Sequence, residues 1–272
     1  MADLLTRSEH SLIMQSFQAR ERREPLNGDG FGVGWYNHEI DDIPCVFTSV
    51  RPAWSNRNLA RLADKVTSTC FFAHVRAATA GSPVSDLNCH PFQYEQFMWM
   101  HNGRSPQFHR IKRQLCNRLR EDLYNSVLGN TDSEHAFALF LNQLWPRIND
   151  YSIKDLQHAM TSTIKNLEAL SASAGIEDVS HFNFAVGDGR NVVVSRYASD
   201  PDSEPESLYY AKGGKFGSVE GVYRMIPADR RPQAVIVASE PLTANRFDWC
   251  EVPKNHLLLV TPELHLTVSP IV

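Results

Sequence analysis

The stretch that decides the fold runs from Asn27 to Tyr36 and reads NGDGFGVGWY. Gly28, Gly30, Gly32 and Gly34 alternate with Asp29, Phe31, Val33 and Trp35, the period of an extended strand with side chains on one face and almost none on the other. Such a strand predicts a neighbour packed close against its bare face. A nucleotide phosphate is the other partner that glycine-rich backbone accepts. The dinucleotide fingerprint, however, needs a glycine at 33 or 35, and Tyr36-Asn37-His38 does not open a helix. No lysine followed by serine or threonine completes a phosphate loop either.

Outward from this strand, Cys45–Val50 reads as its hairpin partner and Asn56–Lys65, with Leu59, Leu62 and Ala63, as a helix. Leu4, Leu5, Ser8, Leu12, Ile13 and Phe17 predict two short helices ahead of a polar turn at 21–25. Thr69–Val75, TCFFAHV, is a dense apolar run of the kind buried on both faces, ending at Arg76. FMWMHNG (97–103) predicts a strand closing on an Asn-Gly turn, Phe108–Leu128 one amphipathic helix, and Thr131 and Ile153 the starts of two more. FNFAVGDGRNVVVSRY (182–197) reads as a hairpin turning at Asp188-Gly189, and the segments around 208–214, 234–242 and 256–268 as further strands. Strands, a helical block and more strands, without regular βα alternation, argue for α+β with helices on mostly antiparallel sheet. There is no internal repeat and no evident boundary, so residues 1–272 are expected to form a single domain.

A net charge of -4 and a pI near 6.3 give no basic surplus for nucleic acid or anionic membrane. The five cysteines, widely spaced and without a C-x-x-C pair, suit a reducing compartment, and neither a signal peptide nor a long apolar span is evident, so a cytoplasmic location is expected. His74, His90, His101 and His135 show no short ligand spacing, so neither metal nor cofactor is expected.

Four motifs end predicted strands or open predicted helices. Arg76, in AHVRAAT, leaves its strand where a guanidinium can grip a carboxylate with two parallel hydrogen bonds; the plainer explanation is an ion pair with Asp29 or Asp86. Asn102 and Gly103, in MHNG, can aim a side-chain amide and a backbone N–H at one oxyanion; the plainer explanation is a hairpin turn. Asp132 lies in the first turn of the helix opened by Thr131, with Glu134 at capping-box spacing; it can bind an ammonium group or simply complement the helix dipole. Cys89, in CHPF, adjoins His90, but neighbours on an extended segment point opposite ways, so a thiolate–imidazole pair is not expected there. A guanidinium for a carboxylate, a carboxylate for an ammonium and an oxyanion hole together describe a site for the amino-acid end of a γ-glutamyl compound.

NGDGFGVGWY, FFAHVRAAT, NCHPF, MHNG and GNTDSEHAFALFL, followed by FNFAVGDG, VVVSRY and VASEPLT, resemble in order the landmarks of class II glutamine amidotransferases of the N-terminal-nucleophile hydrolase type. Within that family the likeness is to amidotransferase-like subunits of fungal glutathione-degrading complexes. The resemblance implies a four-layer αββα sandwich in which the glycine strand lies beside the strand bearing the nucleophile. It implies that Arg76 holds the substrate α-carboxylate and Asp132 its α-ammonium. Ala77 and Thr79 would line the glutamyl pocket, and Asn102 and Gly103 would form the oxyanion hole. It also implies a glutathione or glutamine substrate and a metallopeptidase-like partner subunit. Members begin Met-Cys-Arg, and the cysteine attacks with its own α-amine as base. This sequence begins Met1-Ala2-Asp3, so the first strand and its nucleophile are expected to be missing and the chain inactive alone. Two explanations stay open: a start codon placed too late, or a pseudoenzyme that binds γ-glutamyl ligands or scaffolds a partner.

Overall fold

The structure is a computed structural model, and it describes residues 1–22, 24–78 and 84–272. After a single helical turn at Asp3–Arg7, the helices are α1 (Leu12–Gln18), α2 (Arg57–Lys65), α3 (Phe108–Cys116), α4 (Glu121–Ser126), α5 (Asp132–Leu144) and α6 (Ile153–Ser173). The strands are β1 (Phe31–Trp35), β2 (Cys45–Ser49), β3 (Phe71–Val75), β4 (Phe92–Tyr94), β5 (Phe97–Arg104), β6 (His181–Gly187) and β7 (Val192–Arg196). They continue with β8 (Tyr209–Gly213), β9 (Lys215–Val219), β10 (Val222–Ile226), β11 (Ala234–Ala238), β12 (Cys250–Glu251), β13 (His256–Val260) and β14 (Leu266–Pro270). Every strand pair is antiparallel.

Two sheets face each other. One has the order β2-β1-β3, and the other β14-β13-β7-β6-β5-β4. Strand alternation divides each between two layers. On β1, Phe31 and Val33 face outward, where Leu5, Ala53, Leu59 and Ala63 cover them with the opening helical turn, α1 and α2. On β5 and β6, Trp99, Phe182, Phe184 and Val186 face α3–α6, in a core that includes Phe137, Phe140, Met160 and Leu167. Between the sheets lie Tyr36, Phe72 and Met98. The β11-β8-β12 sheet packs on the same face of the larger sheet, through Leu208 and Val252 against Val194 and Leu258. The order of layers is helices, sheet, sheet, helices, as expected.

The bare face of β1 is turned inward, and it meets Cys89–Pro91 and Met98. A Cβ at Gly32 would stand 2.1 Å from the His90 carbonyl oxygen, and one at Gly34 2.2 Å from Met98 Sδ. The glycines therefore let a neighbouring chain segment approach closely.

Among the described residues β1 is the middle strand of its sheet, between β2 and β3, and each of those two has an unpaired outer edge. Several expectations are corrected. The helix expected over 108–128 is two, α3 and α4, because the chain turns at 117–120 with Leu119 packed against the core. The Asn-Gly turn does not occur: β5 continues through Arg104, with Asn102 opposite Asn183 and Gly103 opposite Phe182. The β9–β10 hairpin, β4 and β12 carry weak local patterns and were not anticipated.

Candidate active site

β5 leaves the core with Asn102 and Gly103 near its end. On β6, Phe182 donates its N–H to Tyr197 O and accepts at its carbonyl from Ser195 Oγ, both on the side away from β5. Gly103, its cross-strand partner, is therefore in a non-hydrogen-bonded pair, and its N–H points away from β6, beyond the start of β4 at Phe92. Only glycine fits: φ is +141°, and a Cβ would stand 2.1 Å from the His181 carbonyl oxygen. The arrangement leaves an exposed backbone donor free of the sheet ladder.

Asp132 is the first residue of α5. Its Oδ2 accepts the Ser105 N–H at 2.7 Å and its Oδ1 the Ser133 N–H at 2.9 Å. The helix start is thus tied to the residue two beyond Gly103, which brings Asp132 to the Asn102–Gly103 end of β5. Thr131 caps α5 by accepting the Glu134 N–H. The other half of the expected capping box does not form: the Glu134 carboxylate accepts from Leu128 and Gly129 N–H instead.

Arg76 follows β3 and is 5% exposed. Among the described residues it has no carboxylate partner. Its Nη1 donates to the Asp29 carbonyl at 3.4 Å, while the Asp29 carboxylate accepts the Ala78 N–H at 2.8 Å. The simple ion pair with Asp29 or Asp86 is therefore not formed. Ala77, half-buried, lies between these two contacts, and Thr79 falls outside the described residues.

Histidines connect the two groups. His74, two residues before Arg76, packs against His90 with ring centroids 4.3 Å apart and the planes inclined at 53°. Burial holds His74 down to about 3 and His90 well below the ordinary histidine range, and Arg76 pushes both in the same direction, so both rings are neutral at pH 7. Neither ring nitrogen of His90 has a partner among the described residues. His101, one residue before Asn102, places Nδ1 2.9 Å from Ser133 Oγ and Nε2 3.1 Å from the His181 carbonyl. In the sequence these histidines show no metal-ligand spacing, and His90 adjoins Cys89 without forming a pair with it. Asn183, opposite Asn102, was missed; its Nδ2 donates to Glu206 O at 2.7 Å. The alternation of FNF was the available signal, since it turns both phenylalanines into the core and Asn183 to the opposite face.

Cys89 and Cys70 are poor nucleophiles, because burial pushes their thiols up to about 11 and about 12. A cavity of about 220 Å³ lies among Val46, Thr48, Cys89, Glu134 and Phe137, and none of Arg76, Asn102, Gly103 or Asp132 lines it.

A family profile described as glutamine amidotransferases class-II matches residues 1–212. The chain belongs to the class II glutamine amidotransferases. It is 42% identical, over all of its own length and 81% of the other's, to a Saccharomyces cerevisiae protein named probable glutamine amidotransferase DUG3. It is 24% identical to the γ-glutamyl-hercynylcysteine sulfoxide hydrolase of Mycolicibacterium smegmatis, over all of this chain and 94% of that one. A solved structure described as a glutamine aminotransferase class-II domain protein from Silicibacter pomeroyi superposes with a TM-score of 0.67 at 28% identity, covering 88% of this chain and 90% of that one. Membership of this amidotransferase family supports an enzymatic kind of activity. Among the described residues, no helix is long and apolar enough to cross a membrane.

Proposed function

We propose that this amidotransferase-family chain binds the glutamyl end of a γ-glutamyl amide for hydrolysis, with glutathione the leading substrate and glutamine the second. Arg76 grips the α-carboxylate, Asp132 takes the α-ammonium, and Asn102 Nδ2 and Gly103 N–H receive the γ-carbonyl oxygen as it becomes an oxyanion. Ala77 and Thr79 line the glutamyl pocket. The observation that carries this reading is a pair of charges held without counter-charge. Arg76 is buried with no acid partner among the described residues, and Asp132 is fixed beside the oxyanion segment by backbone N–H groups and the Ser133 hydroxyl, with no cation paired to it among the described residues.

A cysteine thiolate attacks the carbonyl, the C–N bond breaks as the departing amine takes a proton, and water cleaves the γ-glutamyl thioester to glutamate and free thiol. That cysteine is not among the five of this chain. It is supplied by an additional strand laid along the outer edge of β3, which places it near Arg76. Ala185 and Val192 pack both against the layer that holds Phe72 of β3 and against the cluster that Val237 of β11 also covers, which supports a strand between those edges. The fold acts as one domain over residues 1–272, in the cytoplasm, with a metallopeptidase-like partner subunit.

Glutamate release from glutathione tests this reading, measured for this chain and for one extended by a Met-Cys-initiated strand, each with and without the partner. Activity is expected only with the extension. Release by the chain of 272 residues alone would overturn the nucleophile assignment.

The raised thiols of Cys70 and Cys89 favour a second reading, a non-catalytic binder of γ-glutamyl ligands. In that case glutathione raises Tm without being consumed, and Arg76→Ala abolishes the rise. Turnover by the extended chain would exclude it.

A further inference from the structure

The first turn of α5 presents a polar group that the sequence motifs do not single out. His101 Nε2 lies 3.1 Å from the His181 carbonyl, which can only accept, so Nε2 carries the ring proton. The ring is enclosed, and burial holds it below the ordinary histidine range, so it is neutral at pH 7 and Nδ1 is an acceptor. Ser133 Oγ lies 2.9 Å from that Nδ1 and 3.3 Å from Asp132 Oδ1. A hydroxyl has one proton and cannot give it to both, and the nearer imidazole nitrogen takes it. Ser133 Oγ and Asp132 Oδ1 then stand 3.3 Å apart as two acceptors with no proton between them. A group with several N–H donors satisfies both.

We propose that Ser133 Oγ is a second ligand of the substrate α-ammonium, sharing it with Asp132 Oδ1, and that His101 is the positioning residue that turns the hydroxyl's lone pairs toward it. The proposal rests on reading Arg76, Asp132, Asn102 and Gly103 as a γ-glutamyl site. It adds a reason for histidine immediately before Asn102: its ring joins β5, the His181 carbonyl of β6 and the first turn of α5, and so fixes the proton direction at the ammonium end.

Calorimetric titration of this chain with L-glutamine and with glutaric acid monoamide, which keeps the carboxylate and the amide but lacks the ammonium, tests it. Ser133→Ala is expected to weaken glutamine binding about tenfold, as for a lost hydrogen bond to a charged group, and to leave the monoamide unchanged. His101→Asn is expected to move the ratio of the two affinities in the same direction and carries the test if Ser133→Ala does not fold. Arg76→Ala is expected to weaken both ligands. A ratio unmoved by these substitutions, with Arg76→Ala still weakening both ligands, would overturn the role of Ser133 while leaving the site in place. If neither ligand binds the unsubstituted chain, or Arg76→Ala affects neither, the site reading fails and this inference falls with it.

Discussion

The space between the two sheets has two ends of opposite chemistry, built by the same strands. At one end Gly34, Phe72 and Met98 meet Tyr36 in an apolar layer. One or two positions further along the same faces, Phe72 gives way to His74, and Met98 and Met100 to Asn102. Arg76 and His90 complete a buried polar end. Apolar contacts at the first end stabilise the sandwich. At the second, imidazoles are kept neutral in a site that would rather have no polar groups, which costs stability unless a ligand or partner uses them.

That contrast is open to direct test. The largest effect is expected at the seam between the ends. A Cβ at Gly32 would collide with the His90 backbone oxygen, so Gly32→Ala should lose about 3 kcal/mol or more of stability. Gly34→Ala meets the movable Met98 side chain and should lose roughly 1–3 kcal/mol. Urea denaturation decides the order, and equal losses would mean that the polar end is no tighter than the apolar one.

Acid should then separate the ends. His74 ionises at about 3 in the fold against 6.5 unfolded, and His90 is lowered in the same sense. Below pH 6.5 the unfolded chain binds more protons than the folded one. Their stabilisation is therefore complete above that pH and is lost as the pH falls toward about 3, at up to about 1.4 kcal/mol per pH unit for each ring. Burial raises the Glu134 and Glu168 carboxyls, which act in the opposite sense, so the informative measurement is a difference. His90→Phe should flatten the stability profile between pH 6.5 and 4.5 relative to the unsubstituted chain. Parallel profiles would show that the His74–His90 pair is not charge-free.

The smallest effect is expected at Asp29. Among the described residues its carboxylate accepts only the Ala78 N–H, while Arg76 reaches its backbone carbonyl. Asp29→Asn keeps an acceptor and should change stability by less than about 0.5 kcal/mol, with no loss of glutamine affinity. A large loss of affinity would show that the Asp29 charge, and not its backbone, holds the guanidinium.

How much of this was legible in the residues follows the range of the forces involved. The glycine alternation of β1 announced a strand with a close neighbour, and Thr131 announced the start of α5, because period and capping are set by residues a few positions apart. The β5 terminus misled for the same reason. Asn-Gly has a strong local preference for a turn, yet pairing of Asn102 with Asn183 and Gly103 with Phe182 outweighs it, and those partners are distant in sequence. The break between α3 and α4 was invisible in a continuous amphipathic pattern, since packing of Leu119 on the core decides it.

From the sequence alone, then, came the mostly antiparallel α+β class and the residue types of a γ-glutamyl site, because patterning and motif chemistry are written locally, and the family likeness implied the layered sandwich. Tertiary structure alone decided that β1 is a central strand, that Arg76 is buried without an acid partner among the described residues, and that His101 and Ser133 adjoin Asp132. Those facts depend on contacts between segments far apart in the chain, and no local preference encodes which buried polar group will find a partner.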